Sequence, residues 1–215
     1  MKKLIKSMPF VGSLLKTLKY KLFLIKNHLK IKIYLIQNKK LKIVIGSANI
    51  YEDIWCPTSI ENLNLLEKKS FDSLFNYRKV DVFLAEHVWE HLTLEEGRIA
   101  AENCYSYLKR GGYIRVAVPD GFHSNVSYIK SVDIGGTGEG SDDHKVLYNY
   151  KTLSKIFESA GFKVEVLEYF DEDNNFCFTN WDKEKGLIHR SKRYDKRNKE
   201  NQLSYTSIII DAYKV

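Results

Sequence analysis

Apolar positions in the first forty residues recur by threes and fours. Val11, Leu14, Leu15, Leu18, Leu22, Ile25, Leu29, Ile33 and Ile36 trace one helical stripe, with the lysines mostly off it. The spacing predicts a long amphipathic helix, or two short ones, over 8–37. Such a stripe suits covering a sheet, pairing with a second copy in a homo-oligomer, or lying on an anionic membrane surface. From residue 41 the pattern changes to short β-branched runs alternating with helical spacing. Strands are predicted over 41–46, 55–60, 80–85, 113–118, 163–170 and 204–213, with a further short one over 63–66. Helices are predicted over 70–77, 94–108 and 149–160, with Thr93 as an N-cap and Gly111-Gly112 and Gly161 as stops. This alternation, closed by a strand pair, predicts an α/β Rossmann-like three-layer sandwich with a mostly parallel seven-stranded sheet. The expected division is a basic helical leader, 1–40, and a domain, 41–215.

Charge sharpens that division. Twelve lysines precede the first acid, Glu52, leaving 22 basic against 27 acidic residues, so a mildly acidic body follows a strongly basic leader. A nucleic-acid enzyme spreads basic charge around its cleft, so no nucleic-acid partner is expected. The leader's apolar run is broken by Lys16, Lys19 and Lys21, unlike a signal peptide, and no stretch is long enough to span a bilayer. Cys56, Cys104 and Cys177 are odd in number and lack metal spacing. They read as reduced thiols of a cytoplasmic protein, one that reaches the inner membrane face if the leader binds lipid.

Chemistry concentrates between Val80 and Gly121. Two buried strands joined by a helix form a crossover unit, and ligands gather beyond the carboxyl ends of such strands. Glu86, His87 and Asp120 stand at those ends. His87-Val88-Trp89-Glu90-His91 also matches H-x-x-E-H of inverted zinc peptidases. That motif needs both imidazoles on one helical face, whereas His87 abuts a strand and no third-ligand helix follows. No metal is expected; Glu90 reads as an anchor of the helix start and His91 as packing beneath it.

The turn at Gly46, EHVWEHL, YLKRGGYIRVAVPDG, Ala160-Gly161-Phe162 and the closing TSIIIDAYK resemble class I S-adenosylmethionine-dependent methyltransferases, more narrowly a small stand-alone bacterial group. The resemblance covers about 41–215. It implies S-adenosyl-L-methionine as cofactor and a hydroxyl of a small-molecule or glycan-like acceptor as substrate, in keeping with that group's association with surface-polysaccharide biosynthesis. By the same resemblance, Gly46, Ser47 and Ala48 form the donor loop, Thr58 stands where an acid usually binds ribose, and Asn64 and Leu65 meet adenine. Glu86 and His87 line the donor pocket. The group has two or three glycines in the loop where this chain has one. It has a ribose acid where this chain has Thr58-Ser59, with Glu52, Asp53 or Glu61 as nearby substitutes.

For the acceptor side, His87, Asp120 and His144 are the expected catalytic groups, because a hydroxyl acceptor must lose a proton. Asp120 and His144 also read as acceptor-binding, with 133–143 as a glycine-rich lid before His144. Trp181 would stack on a sugar face and Arg190 would hold an anionic acceptor. The weakened donor loop also fits a scaffold that has lost donor binding, or another sugar-directed transferase on the same fold.

Overall fold

The computed structural model describes residues 9–47, 54–199 and 202–215. Helix α1 (Pro9–Ile36) leads into strand β1 (Lys42–Ile45), followed by β2 (Cys56–Pro57), α2 (Lys68–Phe75) and β3 (Val80–Glu86). Then come α3 (Leu94–Tyr107), β4 (Leu108–Pro119), α4 (Val126–Val132), α5 (Tyr150–Ser159), β5 (Lys163–Phe170), β6 (Phe176–Phe178) and β7 (Ser207–Tyr213). The expected strand over 63–66 is a run of turns, pinned where Asn64 Oδ1 accepts from the Leu66 amide. The seventh strand is instead β6, which pairs antiparallel with β5.

The sheet order is β2-β1-β3-β4-β7-β5-β6. Strands β6 and β7 run against the other five, so the sheet is mixed, and its parallel part holds β2, β1, β3 and β4. The chain steps from β1 to one side, then returns past it to β3. That reversal leaves a crevice at the carboxyl ends of β1 and β3.

Local chemistry explains the helix starts. Thr93 and Glu96 form a reciprocal capping box at α3, and Asn149 with Thr152 does the same at α5. Helices α1, α2, α3 and α5 all contribute to one core, through Ile31, Phe71, Ala100 and Phe157 among others. The opposite sheet face is covered differently. Its core members outside the strands are Trp55, Trp181 and Ile188, and no α-helix of the described residues contributes to it. The sheet is therefore covered on both faces, by helices on one and by an irregular segment where a second helical layer would stand on the other. Arg115 of β4 and Asp211 of β7 point into that second layer as a buried two-point ion pair, 2.7 and 2.8 Å.

Helix α1 is one continuous helix, and its second half belongs to the domain. Ile31 and Leu35 are buried in the main core, and Arg78 Nη1 donates to the Leu35 carbonyl. Each buried aliphatic contributes roughly 1.5–3 kcal/mol, so the expected boundary after residue 40 does not separate leader from domain. The predicted stripe faces the other way. Leu18, Leu22, Ile25, Leu29 and Ile33 are exposed, so they do not cover the sheet. Among the described residues, no helix is long and apolar enough to cross a membrane.

Candidate functional site

A cleft of about 580 Å³ opens at the carboxyl ends of β1 and β3. Ile45, Gly46, Ile60, Leu63, Asn64, Leu65, Leu66, Val88 and Leu92 form its mainly apolar side. His87, His91, Glu96, Asp143 and Lys145 form its polar side. Both boundary turns leave ordinary backbone space. Gly46 ends β1 with φ of 64°, and His87 ends β3 with φ of 57°. The left-handed region suits glycine and is strained for an imidazole-bearing residue, which persists only where its surroundings hold it.

Those surroundings are visible. The His87 amide donates to the Ala117 carbonyl at 2.8 Å, extending the β3–β4 ladder by one residue. Ser207 Oγ donates to the Arg190 carbonyl at 2.7 Å, so it accepts from His87 Nε2, 3.0 Å away. That hydrogen-bond order places a proton on Nε2 and turns Nδ1 toward Glu90 Oε1, 3.0 Å away. After His87 the chain makes a 3₁₀ turn, Trp89–His91. Trp89 is buried, with Nε1 donating to the Gly97 carbonyl, and the Glu90 carbonyl accepts from the amides of Lys145 and Val146. Those last two bonds draw His144 beside the turn, where its ring meets His91 edge-on at 4.9 Å between centroids.

Of the residues expected to hold a donor, Gly46, Asn64, Leu65 and His87 line the cleft. Ser47 sits just beyond, its amide donating to the Thr58 carbonyl. Ala48, like Glu52 and Asp53, lies outside the described residues. Thr58 is fully buried and its hydroxyl donates to the Val44 carbonyl at 2.8 Å, which removes it from ribose binding. Glu61, the remaining substitute acid, accepts from the Tyr20 hydroxyl at 2.8 Å. Glu86 is also corrected. Its carboxylate turns away from the cleft and accepts from the amides of His189 and Arg190 and from His189 Nδ1.

The acceptor-side expectations change more. Asp120 is fully buried, and its two oxygens accept from the amides of Phe122 and Phe170. Burial pushes its carboxyl up to about 6 against those two hydrogen bonds. It closes a turn and does not meet an acceptor. Trp181 is only 6% exposed. Its Nε1 donates to Glu168 and the Arg115 guanidinium lies over its ring, so it is core and no sugar platform. Arg190 has an exposed side chain that does not line the cleft. His144 is buried behind the polar side, Nδ1 donating to the Val132 carbonyl at 2.7 Å, while its neighbours Asp143 and Lys145 reach the cleft. The expected lid folds back on α4 through bonds from Thr137 to Lys130 and Gly138 to Ser131.

Among the cleft residues that the sequence reading did not assign to a site are Val88, Leu92 and above all His91, read as packing beneath the helix start. The i, i+4 spacing of His87 and His91 was the available signal.

No family model matches the sequence, and no curated protein matches it. Among solved structures, a methyltransferase from Archaeoglobus fulgidus described as SAM-dependent is similar over 88% of this chain and 93% of its own, with 18% identity and a TM-score of 0.46. An O-methyltransferase family protein from Burkholderia thailandensis is similar over 74% of this chain, with 12% identity and a TM-score of 0.43. The chain spans 36% of that protein's length. A methyltransferase from Thermotoga maritima, described as a SAM-dependent enzyme and possible histamine N-methyltransferase, is similar over 85% of this chain and 76% of its own, with 16% identity and a TM-score of 0.43.

Proposed function

We propose that the protein is an S-adenosylmethionine-dependent methyltransferase acting on a hydroxyl of a small or glycan-like acceptor. The observation that carries this reading is the cleft at the β1–β3 reversal, with a left-handed glycine at one lip and an imidazole at the other. A donor bound there supplies a methyl group activated on a sulfonium. Gly46 leaves its backbone open to the donor's amino-acid tail. Leu63, Leu65 and Ile60 offer apolar faces to the adenine. The protein's part in such a transfer is mostly alignment, with a base to take the hydroxyl proton. Among the three expected bases, His87 is the one that lines the cleft, its ring held by Ser207.

A second reading, a relative that no longer binds donor, draws on one observation. The Thr58 hydroxyl is consumed by Val44, so nothing at that position offers the two-point ribose contact a carboxylate would give. Calorimetric titration of the full chain with S-adenosylmethionine and S-adenosylhomocysteine separates the two. Donor binding that Gly46→Trp abolishes supports the enzyme. No heat at millimolar donor overturns it. Once donor binds, transfer of labelled methyl to hydroxyl-bearing acceptors identifies the substrate class.

The exposed face of α1 adds a location. Leu18, Leu22, Ile25, Leu29 and Ile33 form an apolar strip, and Lys19, Lys21 and Lys26 stand exposed at its margins. An apolar strip edged by ammonium groups suits the surface of an anionic bilayer, with the domain lying against it.

A further inference from the structure

We infer that Glu90, His91 and His144 bind a divalent transition-metal ion in the polar wall of the cleft. Each offers one ligand atom, and these atoms lie within 4.8 Å of one another. The set joins two residues of the 3₁₀ turn to a third brought from a distant loop by the bonds from Lys145 and Val146 to the Glu90 carbonyl. A helical H-x-x-E-H arrangement is absent, because His87 lies at the end of β3 and is not a member.

The protons explain why these three need a cation. Glu90 is fully buried, and neither of its oxygens has a hydrogen bond of ordinary geometry. His87 Nδ1 approaches one of them at 3.0 Å but off the hydrogen-bond line, while His87 Nε2 donates to Ser207 Oγ. His144 gives its Nδ1 proton to the Val132 carbonyl, so in the neutral ring Nε2 carries a lone pair. Both buried Glu90 oxygens thus lack a hydrogen-bond donor while the His91 and His144 rings stand beside them. A buried charge left in that state is unfavourable by several kcal/mol or more, and a cation shared by the group removes the conflict.

The surroundings match those of metal-bound imidazoles, which pass their other N–H to a carbonyl or a carboxylate. His144 uses the Val132 carbonyl. Beside His91, Asp143 Oδ2 lies 3.5 Å from Nδ1, too long for a good hydrogen bond but placed as an outer partner. Two imidazoles and one carboxylate suit zinc, iron or cobalt and not magnesium or calcium, which favour oxygen alone. A tetrahedral ion keeps its ligand atoms roughly 3.3 Å apart, so the side chains close somewhat on binding, and His91, only partly buried, has the room.

The test uses the full chain with any affinity tag removed. It is stripped with a chelator and titrated with zinc, then with cobalt, whose visible bands report coordination. The expected result is one ion per chain, with His91→Ala and His144→Ala each weakening zinc by more than about 100-fold, since outer-shell changes alone weaken metals by about 10–100-fold. Asp143→Asn falls in that smaller range, and His189→Ala binds as wild type. Circular dichroism establishes that each variant is folded, and isosteric Glu90→Gln serves if His144→Ala is not. Sub-stoichiometric zinc in the wild type, or unchanged zinc affinity in folded His91→Ala, overturns the site and leaves a protonated histidine beside Glu90. No donor is present in these titrations, so loss of metal binding and loss of donor binding are read separately.

Discussion

Gly46 and Val88 close on each other at the lip of the cleft: a β-carbon on Gly46 would lie 2.8 Å from Val88 Cγ2. Gly46 also holds φ of 64°. An L-residue there meets two obstacles, a left-handed backbone at about 1–2 kcal/mol and a contact that must give way. Gly46→Ala is expected to lower stability by about 1–3 kcal/mol and donor affinity by about tenfold or more, read by denaturation and calorimetry. Adding Val88→Ala relieves the contact and leaves the backbone penalty, so it restores only part of the loss. A Gly46→Ala protein with wild-type stability and donor affinity would show that the lip is not crowded.

Behind the sheet, Arg115 ties the irregular layer to β4 and β7. Besides Asp211, its guanidinium donates to the carbonyls of Asp182 and Gly186. Removing one partner of a buried pair strands the other charge, at about 3–5 kcal/mol. Asp211→Ala is therefore expected to destabilise by that order. Arg115→Met with Asp211→Leu is expected to be milder than the sum of the single changes. A double-mutant cycle by chemical denaturation measures the coupling, and additive effects would contradict a linked pair.

Glu86 and His189 predict a pH window. Burial alone would raise the Glu86 carboxyl, but the His189 hydrogen bond, neighbouring His87 and two amides outweigh it and hold it below its ordinary 4.5. The same hydrogen bond raises His189 above its ordinary 6.5. A depressed carboxyl adds stability that is present above 4.5 and lost as pH falls through its folded value. A raised imidazole adds stability that is present below 6.5 and lost as pH rises through its folded value. The pair therefore contributes most between pH 4.5 and 6.5, and only modestly, because His189 is partly exposed. In an NMR titration the His189 ring is expected to titrate above 6.5 in wild type and to move back toward it in Glu86→Gln. An unmoved ring would remove the link.

What the sequence made legible is what neighbours along the chain determine. Thr93 with Glu96 and Asn149 with Thr152 cap their helices through atoms three residues apart, and such pairs are readable in any sequence. Gly46 and His87 reached the cleft because strand ends in this architecture converge there, whereas Asn64 and Leu65, in turns, were reached through the family resemblance. What stayed hidden depended on distant partners. Trp181 looks like a surface aromatic until Glu168 and Arg115 claim it. Thr58 looks free until Val44 takes its hydroxyl. Asp120 resembles a catalytic acid until Phe170, from β5, fills one of its oxygens. His91 and His144 meet only because β4 and α4 return the chain to the Glu90 carbonyl.

Helix α1 is apolar on two faces, and the prediction turns on keeping them apart. Ile31 and Leu35 face the core, while Leu22 and Ile25 face outward, so a charge at the outer pair leaves the fold intact. Truncation through residue 38 would remove core side chains and confuse binding with folding. Leu22→Glu with Ile25→Glu is expected to keep the wild-type melting temperature and to reduce co-sedimentation with vesicles containing phosphatidylserine. Each buried methylene of such a side chain contributes roughly 0.8 kcal/mol and each nearby lysine about 1 kcal/mol, so losing two anchors and adding two negative charges should weaken binding by about 100-fold or more. Binding should also fall as salt rises, and neutral phosphatidylcholine vesicles should bind weakly. If the wild-type chain instead sediments as a dimer that the double variant turns into a monomer, with no vesicle binding in either, a second copy covers the strip and the membrane reading fails.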